Sequence, residues 1–83
     1  MSGQILANVY ANEDTLVGSP VNITFPWKAR QTVITNDSTL NNLTVTLVGQ
    51  NLTLKPTETL TTIILINTIT LNGTGDYRVW AFG

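Results

Sequence analysis

Leu43-Thr44-Val45-Thr46-Leu47-Val48-Gly49-Gln50-Asn51-Leu52-Thr53-Leu54 decides the fold class. Apolar and threonine positions alternate with period two, break at Gly49-Gln50 and resume. Leu43, Val45 and Leu47 fall on one face of a strand, with Thr44 and Thr46 on the other. Gly49 supplies the positive φ of a tight primed turn, so the stretch reads as a β-hairpin.

The rest of the chain repeats this chemistry. Gln4–Tyr10 reads as a first strand and Ala11–Thr15 as a polar turn, with Gly18-Ser19-Pro20 as further punctuation. Val21–Phe25 alternates and is expected to stop at Pro26. Thr32–Thr35 is a short strand leading into the polar loop Asn36–Asn42. Lys55-Pro56-Thr57-Glu58 fits a β-turn, because proline pre-sets φ at the second turn position. Leu60–Ile66 and Thr68–Leu71 read as strands. Asn72-Gly73-Thr74-Gly75 carries the preferred dipeptide of a type I′ turn, and Asp76–Phe82 is the last strand. Seven to eight strands without a helical period predict one all-β domain over residues 1–83. Its expected form is a small antiparallel sandwich of jelly-roll type, with residues 1–10 as an arm onto a neighbour.

Composition narrows the function classes. The 83 residues contain no cysteine and no histidine, which removes disulfides, thiolate sites and the commonest general base. Nucleophile–base catalysis therefore has no recognisable components, and the reading is non-enzymatic, with neither cofactor nor metal. Asn36, Asp37, Asn41 and Asn42 offer oxygen atoms to a calcium ion, but a single carboxylate is too few for a tight site. Lys28, Arg30, Lys55 and Arg78 face Glu13, Asp14, Asp37, Glu58 and Asp76, a net charge of −1. No basic stripe suits a nucleic acid, and no stretch is long enough to span a membrane. The amino terminus lacks the features of a signal peptide.

Two late strands are apolar on both faces. Ile63 and Leu65 oppose Leu60, Ile64 and Ile66. Arg78, Trp80 and Phe82 oppose Tyr77, Val79 and Ala81. A sandwich layer needs only one apolar face, so the second is expected to meet another subunit. Ile63, Leu65, Tyr77, Arg78, Trp80 and Phe82 are the candidate interface of a homo-oligomer. An alternative site is a carbohydrate platform of Trp27, Lys28, Arg30, Asn36 and Asp37, pairing a loop tryptophan with hydrogen-bonding groups.

The order Val33-Ile-Thr-Asn-Asp-Ser, Leu43-Thr-Val-Thr-Leu, Leu54-Lys-Pro-Thr-Glu-Thr59 and Asn72-Gly-Thr-Gly-Asp-Tyr-Arg-Val-Trp80 resembles small β-sandwich virion proteins of tailed bacteriophages. These include head decoration, head-fibre and receptor-binding proteins. The resemblance covers residues 32–83, and Thr57 stands where a glycine is common after Lys-Pro. It implies a structural virion protein that decorates or projects from the capsid as a trimer rather than a dimer. It also implies assembly in the host cytoplasm, with the major capsid protein or another virion protein as a neighbour. Under the alternative reading the partner is a host-surface glycan.

Overall fold

The computed structural model describes the backbone of residues 4–6 and the whole of residues 8–83. Within them lie eight antiparallel strands and no helix: β1 (Gln4–Leu6), β2 (Val9–Val17), β3 (Val21–Ala29), β4 (Gln31–Asn36), β5 (Leu43–Leu47), β6 (Gln50–Leu54), β7 (Thr59–Thr62) and β8 (Ile66–Phe82). Strand β8 organises them. Its C-terminal half lies between β2 and β4, and its N-terminal half lies between β3 and β5. One sheet, called A here, therefore runs β1-β2-β8-β4-β7; the other, B, runs β3-β8-β5-β6. The pairings β2 with late β8, β3 with early β8, β4 with β7 and β5 with β6 are those of a long hairpin wrapped into a jelly roll. The expected all-β sandwich is the observed fold.

Alternation explains the core. Ile34, Val45, Ile69, Leu71 and Val79 point between the sheets and are fully or almost fully buried. Each such side chain contributes roughly 1.5–3 kcal/mol. The central hairpin turns at Val48-Gly49, whose φ values are 48° and 75°, and its register pairs Leu47 with Gln50 and Leu43 with Leu54.

Several local expectations are corrected. Ala11–Thr15 is not a turn but the middle of β2, because each of its residues finds a partner on β8. Pro26 does not end β3. Among the described residues that strand pairs with β8 alone, and Pro26 falls in the stretch between Thr24 and Ala29 where the register shifts, so its missing N–H costs no ladder bond. The strand expected over Leu60–Ile66 is shorter, with Ile63–Leu65 forming the connection to β8. The expected Gln4–Tyr10 strand is interrupted at Asn8, and Met1–Gly3 and Ala7 of the arm lie outside the described residues.

The largest correction concerns Asn72–Gly75, which is not a hairpin turn. It is the corner at which β8 passes from sheet B to sheet A. Gly73 (φ 141°) and Gly75 (φ 120°) both occupy backbone regions that side chains disfavour. A Cβ on Gly73 would meet the Asn42 carbonyl oxygen at 2.8 Å, and one on Gly75 would meet the Ser38 Cβ at 2.7 Å. The glycines let the β4–β5 loop pass directly over the corner.

Gly73→Ala and Gly75→Ala are each expected to lower stability by about 3 kcal/mol, combining backbone strain with overpacking. Gly49→Ala, where nothing lies within 4 Å of the added carbon, is expected to cost only about 1 kcal/mol. Urea unfolding of the three variants checks the order. Thr32→Val is expected to stabilise by about 1 kcal/mol in the same assay. Its buried hydroxyl has no hydrogen-bond partner among the described residues, and the substitution removes it without opening a cavity.

Candidate functional site

Two surface features carry chemistry, and sheet A builds both. The first is its outward face. Alternation along late β8 sends Tyr77, Val79 and Ala81 inward and Arg78, Trp80 and Phe82 outward. Register then sets Ala11 and Val33 on either side of Trp80, and Val9 and Gln31 on either side of Phe82. Trp80 is 48% exposed at the centre of this patch. Val33, Thr35, Arg78, Trp80 and Phe82 line a shallow hollow of about 160 Å³. At its margin Arg78 donates two hydrogen bonds to Asp37, Nε to Oδ2 at 2.7 Å and Nη2 to Oδ1 at 3.0 Å. Hydrogen bonding to Asp37, with attraction to its charge, raises the Arg78 pKa above its ordinary value. The result is an apolar centre with a polar, oriented rim.

The expected interface is thus partly assembled. Arg78, Trp80 and Phe82 share one face. Tyr77 does not belong to it: it is buried with the core because its parity on β8 is opposite. Ile63 and Leu65 are exposed, but on the β7–β8 connection rather than on the sheet. Val9, Ala11 and Val33 were missed. Their signal was alternation shared across three strands, which emerges only once the strands are placed beside β8.

The expected carbohydrate platform is not assembled. Trp27 and Arg30 lie at one end of the sandwich, where the Trp27 ring packs over Gly83 and Arg30 Nη2 donates to the Gly83 carbonyl at 2.8 Å. Lys28 is exposed beside them. Asn36 and Asp37 sit at the other end of β4, roughly 20 Å away at the rise of a strand. Asn36 is only 2% exposed. Its side-chain amide donates to the carbonyls of Asn41 (2.8 Å), Leu54 (3.1 Å) and Lys55 (3.1 Å), while its oxygen accepts from the Ser38 N–H at 3.0 Å. Both hydrogens of its amide are taken by these carbonyls, and it ties three chain segments together beneath the surface, out of reach of a sugar or a calcium ion.

The second feature is an acidic mouth at that same end. Glu13, Asp14, Thr15, Asp37, Asp76 and Tyr77 line an open cleft of about 510 Å³. Three of its four carboxylates are engaged within the protein. Asp37 holds Arg78, Asp76 accepts from the Thr15 hydroxyl, and Asp14 Oδ1 accepts from the Thr15 N–H at 2.8 Å. No group of three or more His, Cys, Asp or Glu side chains among the described residues is arranged to hold a metal ion. Beneath the mouth, the Tyr77 hydroxyl donates to Asn12 Oδ1 at 3.2 Å, and Asn12 Nδ2 donates to the Tyr10 hydroxyl at 3.2 Å.

No protein-family profile matches the chain, and no curated protein sequence matches it. Among solved structures the fold is similar to a cupin_2 domain of an XRE-family transcriptional regulator from Enterobacter cloacae. The TM-score is 0.60 at 10% identity, over 90% of this chain and 80% of that one. At that identity the likeness establishes the jelly-roll fold and nothing about activity. It also corrects the expectation of a bacteriophage capsid or tail protein: the matched fold belongs to a regulator, and no virion family supports that role.

Burial pushes the Tyr77 phenol above its ordinary value, and the nearby Asp14 and Tyr10 add to the shift. A phenol raised in this way keeps its proton longer in the fold than in the unfolded chain. Its contribution is complete below the unfolded value near 10 and is lost as pH climbs through the folded one. Wild type is therefore expected to lose stability above pH ~10 relative to Tyr77→Phe, after exceeding it by about 1 kcal/mol at neutral pH. Urea midpoints of both proteins from pH 8 to 12 test this, and parallel curves would refute it.

Proposed function

We propose that this chain is a non-catalytic β-sandwich domain whose work is self-association, with the outer face of sheet A as the contact. The observation that carries this reading is Trp80, half exposed on a continuous apolar surface made by three adjacent strands. Exposed contiguous apolar patches with polar rims are the usual anatomy of an interface, and tryptophan is among its commonest anchors. The core points the same way: it is small and holds no disulfide, and pairing with another copy extends it.

A patch centred on one strand, with similar neighbours on either side, suits packing against its own copy about a two-fold axis. That geometry favours a dimer over the trimer implied by the virion resemblance. Non-catalytic work is supported by the acidic mouth, where Asp14, Asp37 and Asp76 serve as acceptors for Arg78 and Thr15.

Light scattering coupled to gel filtration, over a dilution series, is expected to show a dimer or larger species that dissociates on dilution. Trp80→Glu is expected to raise the dissociation constant at least about 30-fold, the usual loss at an interface hot spot. Trp80 lies outside the buried core, so the variant monomer should still fold cooperatively, with an unfolding midpoint lowered only by loss of the covered half of the ring. A dimer indifferent to Trp80→Glu removes this face as the contact. A wild-type monomer at every concentration removes self-association itself.

A further inference from the structure

Strand β6 forms an edge of sheet B and pairs with β5 alone among the described residues. Edge strands are ordinarily guarded by charge, proline, a bulge or extreme shortness. The opposite edge, β3, has such guards in Pro26, Lys28 and its irregular register. Sheet A ends in β1, three residues long, and in β7, four residues long. The five residues of β6, Gln50-Asn51-Leu52-Thr53-Leu54, contain no charge, no proline and no bulge.

The register identifies which backbone groups are open. A two-residue primed turn closes on a hydrogen-bonded pair, here Leu47 and Gln50. Bonded and non-bonded pairs alternate from there, so Leu52 bonds Val45 and Leu54 bonds Leu43. The N–H and C=O groups of Asn51 and Thr53 consequently face away from β5, along the open edge. Leu52 lies opposite fully buried Val45 and shares its core-facing side, yet it is 41% exposed. On the outward side, Asn51 Oδ1 is already satisfied by the Thr46 hydroxyl at 2.7 Å.

We propose that β6 pairs antiparallel with β6 of a second copy about a two-fold axis through Leu52, joining two B sheets into one. The sequence is self-complementary in this register. Asn51 of each chain faces Thr53 of the other, and each of these two pairs exchanges both of its backbone hydrogen bonds. Leu52 then meets Leu52 of the second copy as a non-hydrogen-bonded pair, the closer-spaced kind, which brings two half-open leucines together on the core side. This contact uses backbone groups on sheet B. It is independent of the outer face of sheet A and does not rest on the self-association proposed for it.

The chain has no cysteine, so a single introduced thiol reports the register. Antiparallel partners at a non-hydrogen-bonded pair lie about 4.5 Å apart at Cα, within the range a disulfide spans. Leu52→Cys is expected to oxidise to a covalent dimer in nearly full yield. Val48→Cys is more exposed, but in this register it lies roughly 27 Å from its counterpart and should remain largely monomeric. Thr53→Pro removes an N–H that faces away from β5, so it should fold as wild type and weaken the edge contact at least tenfold by light scattering. The Trp80→Glu background separates the two contacts: there, Leu52→Cys should still cross-link. Equal cross-linking of Leu52→Cys and Val48→Cys, or no cross-linking of either, overturns the proposal. So does an assembly unchanged by Thr53→Pro in the Trp80→Glu background.

Discussion

The close approach of two backbones at the corner of β8 is the constraint on which the rest of the structure depends. A seventeen-residue strand serves both sheets only if it bends sharply without losing its neighbours on either side. The bend brings it under the β4–β5 loop, where Gly73 lies against the Asn42 carbonyl and Gly75 against Ser38. Hydrogen bonds hold the surrounding chain to the corner. Gly18 N–H donates to the Gly73 carbonyl at 2.8 Å, and Asp37 N–H donates to the Asp76 carbonyl at 2.9 Å. Asn36, buried just behind, fastens the same loop to the end of β6. A side chain at either glycine would lift the loop, and with it the join between β4 and β5.

This corner also marks the limit of what could be read from the sequence. Alternation in Leu43–Leu54 and in Tyr77–Phe82 was sufficient for the fold class and for the parity of each strand, because both depend on nearest neighbours alone. Asn72-Gly73 satisfies the local chemistry of a hairpin turn equally well. What distinguishes the bend is the close approach of the distant Asn42 and Ser38 to Gly73 and Gly75, which local chemistry does not show. Ala11–Thr15 misled for the same reason. Its polarity suits a turn in isolation, but β8 supplies a ladder on one side and makes a strand of it. Tyr77 was misplaced among the interface residues because a doubly apolar strand does not reveal which face is covered. Asn36 was read as a ligand because its three carbonyl partners come from segments as far on as Lys55.

The two proposed contacts are physically different. The outer face of sheet A offers side chains, so its strength follows apolar area and the fit around Trp80. The β6 edge offers backbone hydrogen bonds whose positions are fixed by the hairpin, so its strength follows register. Each is self-complementary and each generates a two-fold axis. Two such axes on one chain close into a 222 tetramer where they cross at right angles, close into larger dihedral assemblies at certain smaller angles, and build an extended array where they do not intersect.

Charge placement makes such association feasible. The net charge of −1 gives copies little mutual repulsion. Four of the five acids, Glu13, Asp14, Asp37 and Asp76, line the mouth at one end, and Asp37 is further neutralised by Arg78. Glu58 is held within the β6–β7 turn, where Oε1 accepts from the Lys55 N–H at 2.7 Å. Strand β6 carries no charge, and the apolar centre of the sheet A face carries none either. Repulsion is thus concentrated where the acids gather, and the two self-complementary surfaces are left free to meet. A lysine in place of Asn51 or Thr53, on the outward side of β6, would keep the jelly roll and lose the edge contact, because the fold needs only the inward side of that strand.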